Sequence, residues 1–363
     1  MRRTLFTAAL ATLLGAGSLA ATVSPAMSAT RTAPHTAKVT RVSDIPVSFE
    51  VRNVNRSAVR CASDGKTYTI RGHIVGPASV VRSPHIDAGT LYLHGLSFGQ
   101  FFTHFQQAKG YDFATKEARR GQVSVVIDRL GYGSSDKLNG NQVCVGSRAD
   151  MAHQMVRDLR TGKYDVIPNW HGRGPRFADV ALAGHSYGGQ IAQVEAYSFG
   201  DIDRLIVLGY SDRIQSKLLL ENAAYAAATC ASGGLRVNAT GPKGYAPFGP
   251  PSGAVKALFY SATPNIKKAV LQQLTIDPCG DTASFAKATK VDLAKLHRIK
   301  VPVLVVTGAK DALFPKPAGP NQARLFTGSR SVSQVTLRST GHAFTFEGSH
   351  NRLARVIDRW LDR

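Results

Sequence analysis

The chain has 363 residues, of which 43% are hydrophobic and 19% charged, with a formal net charge of +21. That length admits two domains of about 150 residues, or one large α/β domain with an insertion, and the composition excludes a disordered or collagen-like chain. The Lys and Arg residues are scattered, densest at Lys116, Arg119 and Arg120, with no basic stripe interleaved with aromatics. The excess therefore predicts a solvated basic surface, not a nucleic-acid groove.

Arg2 and Arg3 precede an Ala-, Leu- and Gly-rich run over residues 5–21, followed by small residues at Ser24, Ala26, Ser28 and Ala29. This is the pattern of a secretory signal peptide over residues 1–29, cut after Ala26 or Ala29. The run is too short and too weakly apolar for a membrane anchor. The arginine pair resembles a twin-arginine signal but lacks the usual preceding polar residue, which favours the general export route. Export makes the product extracellular. It also makes the four widely spaced cysteines, none in a C-x-x-C pair, candidates for two disulfides and not for a metal site.

Residues 30–44 show no apolar period and are expected to form a flexible mature terminus, with order beginning near Ile45. Val47, Phe49 and Val51 alternate, as do Tyr68 and Ile70, which predicts an opening antiparallel pair. Short apolar strands follow at 90–93, 123–127, 180–183, 205–208, 301–306 and 332–337, separated by helical stretches. Most look buried on both faces, so the fold class is α/β, with a mostly parallel central sheet flanked by helices. The last run alternates and belongs nearer a sheet edge. Phe98, Phe101, Phe102 and Phe105 follow helical spacing, and Leu353, Val356, Ile357, Trp360 and Leu361 predict a closing amphipathic helix. Residues 213–299 break the alternation with helical runs at 218–229, 264–274 and 285–296, a Gly/Pro-rich loop and no convincing strand. They are expected to form a helical cap inserted into a core of residues 45–212 and 300–363. Cys230 and Cys279 both lie in that insertion and are paired on that ground, closing a loop of about 50 residues that contributes roughly 4 kcal/mol. Cys61 is left to Cys144.

Gly184-His185-Ser186-Tyr187-Gly188 follows a strand and precedes a helix rich in small residues. This is G-x-S-x-G in its required context: a strained turn that leaves a serine hydroxyl at a helix N-terminus above the sheet. A serine needs a base, and the base an orienting acid. Asp311 in Thr307-Gly308-Ala309-Lys310-Asp311 and His342 in Ser339-Thr340-Gly341-His342 each follow a strand, in the order such a triad demands. Asp212, after the earlier strand 205–208, is a second candidate acid. Its neighbour Arg213 suggests a surface ion pair instead. The oxyanion would be held by the N–H groups of Leu96, in His94-Gly95-Leu96-Ser97, and of Tyr187. His94 and His185 read as structural hydrogen-bonding residues, and the phenylalanine stripe as core, with Phe98 bordering the site.

With these motifs in sequential place, the chain from residue 45 to its end resembles the α/β-hydrolase superfamily, specifically its cap-bearing secreted serine hydrolases of the esterase and lipase kind. His94-Gly95 and Asp128-Arg129-Leu130-Gly131-Tyr132-Gly133-Ser134-Ser135, similar to the family's D-x-x-G-x-G-x-S loop, carry the likeness together with the triad motifs. The resemblance implies a cofactor-independent, metal-free serine hydrolase, and a serine nucleophile argues against epoxide opening or dehalogenation. The reading is an enzyme cleaving a small-molecule carboxylic ester through an acyl-enzyme. One alternative is an amidase or aminopeptidase of the same fold, for which Glu221, Asp277 and Asp281 are the cap's candidate amine-binding acids. The alternative from another class is a basic protein that binds anionic cell-wall polymers. Weak association with anionic surfaces is expected of the charge in either case.

Overall fold

A computed structural model describes Val39, residues 41–167 and residues 173–363; the expected signal peptide lies outside the described residues. Two long strands open the fold, β1 (Val42–Arg52) and β2 (Thr67–Pro77), paired antiparallel over their full length. β1 starts three residues before Ile45, because Val42 and Asp44 still find partners in Pro77 and Val75. A single turn α1 (Ala78–Val81) leads to β3 (His85–Leu93), then α2 (Phe113–Ala118), β4 (Ser124–Ile127), α3 (Val145–Thr161) and the two-residue β5 (Asp165–Val166). Next come β6 (Arg176–His185), α4 (Tyr187–Ser198) and β7 (Arg204–Leu208).

Between β7 and the next strand of the main sheet, the chain leaves the sheet. It forms α5 (Lys217–Ala231), β8 (Tyr245–Ala246), α6 (Ala254–Leu258), α7 (Pro264–Leu271), β9 (Asp277–Pro278) and α8 (Cys279–Lys295). β8 and β9 pair antiparallel, a strand pair absent from the sequence reading because two residues, one of them Pro278, carry no periodic signal. The chain then returns through β10 (Val303–Gly308), α9 (Ala318–Ala323), β11 (Val332–Leu337) and α10 (His350–Leu361). Among the described residues no helix is long and apolar enough to cross a membrane.

The nine-stranded sheet runs β11-β10-β7-β6-β3-β4-β2-β1-β5. The neighbours from β11 to β4 are all parallel, and β2, β1 and β5 add antiparallel pairs at the other side. Every residue of β4 and β10 is buried, as strands covered by helices on both faces require. β11, whose residues alternate, is the edge strand. Leu353, Ala354, Ile357 and Trp360 of α10 pack under the sheet with Leu304, Val306 and Leu337.

The phenylalanine stripe does not form the helix that its spacing suggests. Only a 3-10 turn at Gln100–Phe102 is present, and it is entered through extended backbone at Gly99 and held where Gln100 N–H donates to Asp128 Oδ1 at 2.8 Å. Phe98, Phe102 and Phe105 are nonetheless buried against His185 and Phe346. Burial clusters the rings without requiring helical backbone. Two disulfides, Cys61–Cys144 and Cys230–Cys279, account for all the cysteines. The second ties the end of α5 to the start of α8.

Candidate active site

The site is built at the C-terminal ends of the parallel strands. β6 ends at His185 and α4 begins at Tyr187, so Ser186 alone makes the turn, at φ 53° and ψ −123°. A non-glycine residue in this region is strained. The flanking glycines are a packing requirement: a Cβ on Gly184 would sit 2.0 Å from Gly188 O, and one on Gly188 2.2 Å from Leu93 O. Ser186 N–H donates to Leu208 O at 2.8 Å, which fastens the turn to β7.

Asp311 lies in the turn after β10 and His342 in the loop after β11. His342 Nδ1 is 2.9 Å from Asp311 Oδ2, with both side chains buried. Asp311 Oδ1 is occupied as well, accepting the N–H groups of Leu313 and Phe314 at 2.9 Å each. A carboxylate held on both oxygens orients the imidazole and leaves Nε2 for a hydroxyl. Ser186 and His342 line one cavity, but no hydrogen bond joins them among the described residues.

The histidine loop is braced from two directions. His185 Nε2 lies 3.0 Å from the carbonyl oxygen of His342, and its ring stacks on Phe102 at 3.9 Å. Burial and the neighbouring His342 hold the His185 imidazole well below the usual histidine range, so the ring is neutral and Nε2–H is the donor. From the inserted segment, Leu258 O accepts the Ala343 N–H at 2.8 Å, and Glu347 accepts the N–H groups of Tyr260 and Ser261 at 2.7 and 2.6 Å. His94 is structural too: its Nε2 accepts the Arg129 N–H at 3.0 Å, and its Nδ1 lies 2.9 Å from Gly95 O.

Leu96 and Tyr187 both border the cavity, and neither backbone N–H has a partner among the described residues. Two free N–H groups beside a serine hydroxyl can take a developing oxyanion. The loop that presents Leu96 is fixed by a contact the sequence reading missed. Ser97, at φ 64°, donates its N–H to Asp277 Oδ1 at 2.6 Å and its hydroxyl to Asp277 Oδ2 at 3.0 Å, while Ser97 O accepts the Thr275 N–H at 2.9 Å. Tyr132 also donates to Asp277, at 2.8 Å. Burial pushes the Asp277 carboxyl up to about 6. The partners are 180 residues apart in sequence, a distance at which no local pattern links them.

The remaining acids take other roles than those expected. Asp212 forms no surface ion pair with Arg213; its carboxylate is buried and accepts from Gln322 at 2.7 Å, Tyr210 at 2.9 Å and Gln193 at 3.2 Å. Glu221 is exposed on α5 and pairs with Lys217 at 3.4 Å. Asp281 is buried between Arg148 at 2.6 Å and Arg129 at 3.5 Å, with Tyr187 Oη at 3.2 Å. Asp277 and Asp281 are therefore consumed by internal contacts, and among the described residues no acidic side chain lines the cavity.

The cavity is narrow, about 50 Å³, and enclosed by Phe98, Leu219, Leu258, Leu274, Phe285 and Phe314 among others. Apart from Ser186, Asn222 of α5 is its one polar side chain not hydrogen-bonded within the protein among the described residues.

A family model described as the alpha/beta hydrolase family matches residues 91–356. No curated protein matches in sequence. Among solved structures, a thermophilic esterase from Thermogutta terrifontis is similar with TM-score 0.57 and 19% identity, covering 86% of this chain and 98% of its own. A hydrolase from Pseudomonas aeruginosa (TM-score 0.55, 16% identity) and an esterase from Exiguobacterium antarcticum (0.54, 14%) each cover 85% of this chain and 98% of theirs. At such identities the likeness is one of fold.

Proposed function

The chain belongs to the alpha/beta hydrolase family, and from that premise we propose that it hydrolyses carboxylic esters of short, largely apolar acids through a serine acyl-enzyme. The carrying observation is the buried Asp311–His342 hydrogen bond, in a cavity that also presents Ser186 and the free N–H groups of Leu96 and Tyr187. In the reaction, His342 Nε2 takes the Ser186 hydroxyl proton as Oγ bonds to the ester carbonyl carbon. The oxyanion is held by the two N–H groups. The C–O bond to the alcohol breaks as His342 returns the proton to the leaving oxygen. Water then repeats the sequence on the acyl-enzyme, releasing the acid and restoring Ser186.

The cavity supports the substrate class. Its small volume, about 50 Å³, favours a short acyl chain. Its walls are apolar, and Asn222 offers one amide to a polar substituent. Among the described residues no acidic side chain lines the cavity, which disfavours a site for a free amine. Two disulfides suit an exported enzyme, and a mature N-terminus at Met27 or Thr30 would mark the expected cleavage.

Chromogenic esters of acetate, butyrate, octanoate and palmitate, run beside a matched butyryl anilide, test the reading. We expect kcat/KM to be highest for the two short esters, to fall at least about tenfold by octanoate, and to be far lower for the anilide. Ester hydrolysis no faster than that of Ser186→Ala, or an anilide cleaved as fast as its ester, would overturn it.

A further inference from the structure

Away from this cavity, three segments bring nitrogen and oxygen donors together at a surface cleft. Asp44 lies on β1 and His73 on β2. In the register of that pair Asp44 faces Val75 and His73 faces Pro46, so the two side chains are diagonal neighbours on one face of the sheet. His104 reaches the same point from the loop before α2. His73 Nδ1 lies 2.6 Å from Asp44 Oδ1, and His104 Nε2 lies 3.0 Å from Asp44 Oδ2. One donor atom from each of the three residues falls within 4.8 Å of the others.

The arrangement extends one step outward. His104 Nδ1 lies 3.0 Å from Asp112 Oδ2, a carboxylate fixed in place because its other oxygen caps α2 through the Thr115 N–H. The Gln106 amide nitrogen is 3.0 Å from His104 Nε2 and donates to Asp44 Oδ2 at 3.2 Å, so it sits beside both groups. The cleft beside it, about 320 Å³, is lined by His73, His104 and Gln106.

We propose that Asp44, His73 and His104 bind a zinc ion, with Asp112 orienting His104 and the fourth position facing the cleft. Two imidazoles and a carboxylate form one of the three-ligand sets that hold zinc with one position open. Nitrogen donors turn the site away from calcium and magnesium, which take oxygen ligands. A carboxylate behind a ligating histidine fixes its ring and tautomer. The bound ion ties β1, β2 and the segment leading into α2 at one point, and the site is independent of the proposed ester chemistry.

The test uses the full chain, stripped of metal with EDTA and dialysed, then titrated with Zn²⁺ by calorimetry and with Co²⁺ by absorption. Expected are binding at micromolar concentration or tighter, the visible bands of tetrahedral cobalt, and a melting temperature raised by a few degrees in excess zinc. Asp44→Asn and His73→Ala, both at partly exposed positions, should each weaken binding by at least about tenfold. Asp112→Asn should weaken it by roughly 10- to 100-fold while keeping the tetrahedral bands. His153→Ala, in the separate group formed with Glu195 and Asp201, should leave this site unchanged. Zinc binding of equal strength in the folded double variant Asp44→Asn/His73→Ala, or no binding by the wild type, overturns the proposal and leaves an ion-pair cluster only.

Discussion

Asp311 and Asp212 both follow parallel strands at the end of the sheet that carries Ser186, yet only Asp311 reaches the imidazole. Asp311 spends one oxygen on His342 and the other on two backbone N–H groups, while Asp212 is held by Gln193, Gln322 and Tyr210. An amide at position 311 would present the wrong hydrogen-bonding partner to Nδ1 and lose the charge that supports the imidazolium. Asp311→Asn is therefore expected to lower kcat on a short-chain ester by up to about 10⁴-fold with the fold intact, and Asp212→Asn by less than about tenfold. Steady-state kinetics beside circular dichroism checks both, and the reverse order would place the acid on β7. At this scale the placement of Ser186, Asp311 and His342 after strands β6, β10 and β11 was legible because each sits in a short local motif. The fate of Asp212 was not, since its burial depends on Gln322, 110 residues away, and Arg213 beside it in sequence points outward.

The contact between helices α4, α8 and α9 rests on a pair of carboxyl groups. Asp292 on α8 accepts Tyr197 Oη–H at 2.7 Å and Gln190 Nε2–H at 3.1 Å, and it lies in hydrogen-bond contact with Asp212. Both acids are buried. Burial first, and the Asp212 charge second, raise the Asp292 carboxyl well above its ordinary range. In the unfolded chain an aspartate titrates near 3.9, so above that pH the folded state holds a proton the unfolded state has lost. The stabilisation is present below about pH 4 and declines as pH rises through the folded value. Asp292→Asn carries an N–H where the shared proton would be. It should melt higher than wild type at pH 8, with the difference vanishing toward pH 4, as read by calorimetry at the two pH values. A variant less stable than wild type at pH 8 would show that the pair does not share a proton. Periodicity along α8 gives no hint of this contact, because Asp292 reads as an ordinary polar position until Asp212 and Gln190 are brought against it.

Across the whole molecule, the doubly covered strands were readable as unbroken apolar runs, and the edge position of β11 as an alternating one. What escaped was what local pattern does not encode: the two-residue strands β8 and β9, the loop backbone of the phenylalanine stripe, and the clamp of Asp277 on Ser97. All three depend on partners distant in sequence. The clamp, the Leu258–Ala343 hydrogen bond and the Glu347 contacts tie the inserted segment to the loop of Leu96 and Ser97 and to the loop of His342. The candidate site is thus assembled from both parts of the chain around Ser186. The most direct measurement is reaction of the folded protein with a fluorophosphonate, which transfers its phosphorus to an activated serine oxygen as fluoride leaves, followed by peptide mass spectrometry. One adduct per chain, on Ser186, is expected, and none in folded Ser186→Ala; an unreactive wild type, or an adduct on another residue that persists in Ser186→Ala, would contradict a serine nucleophile at this position.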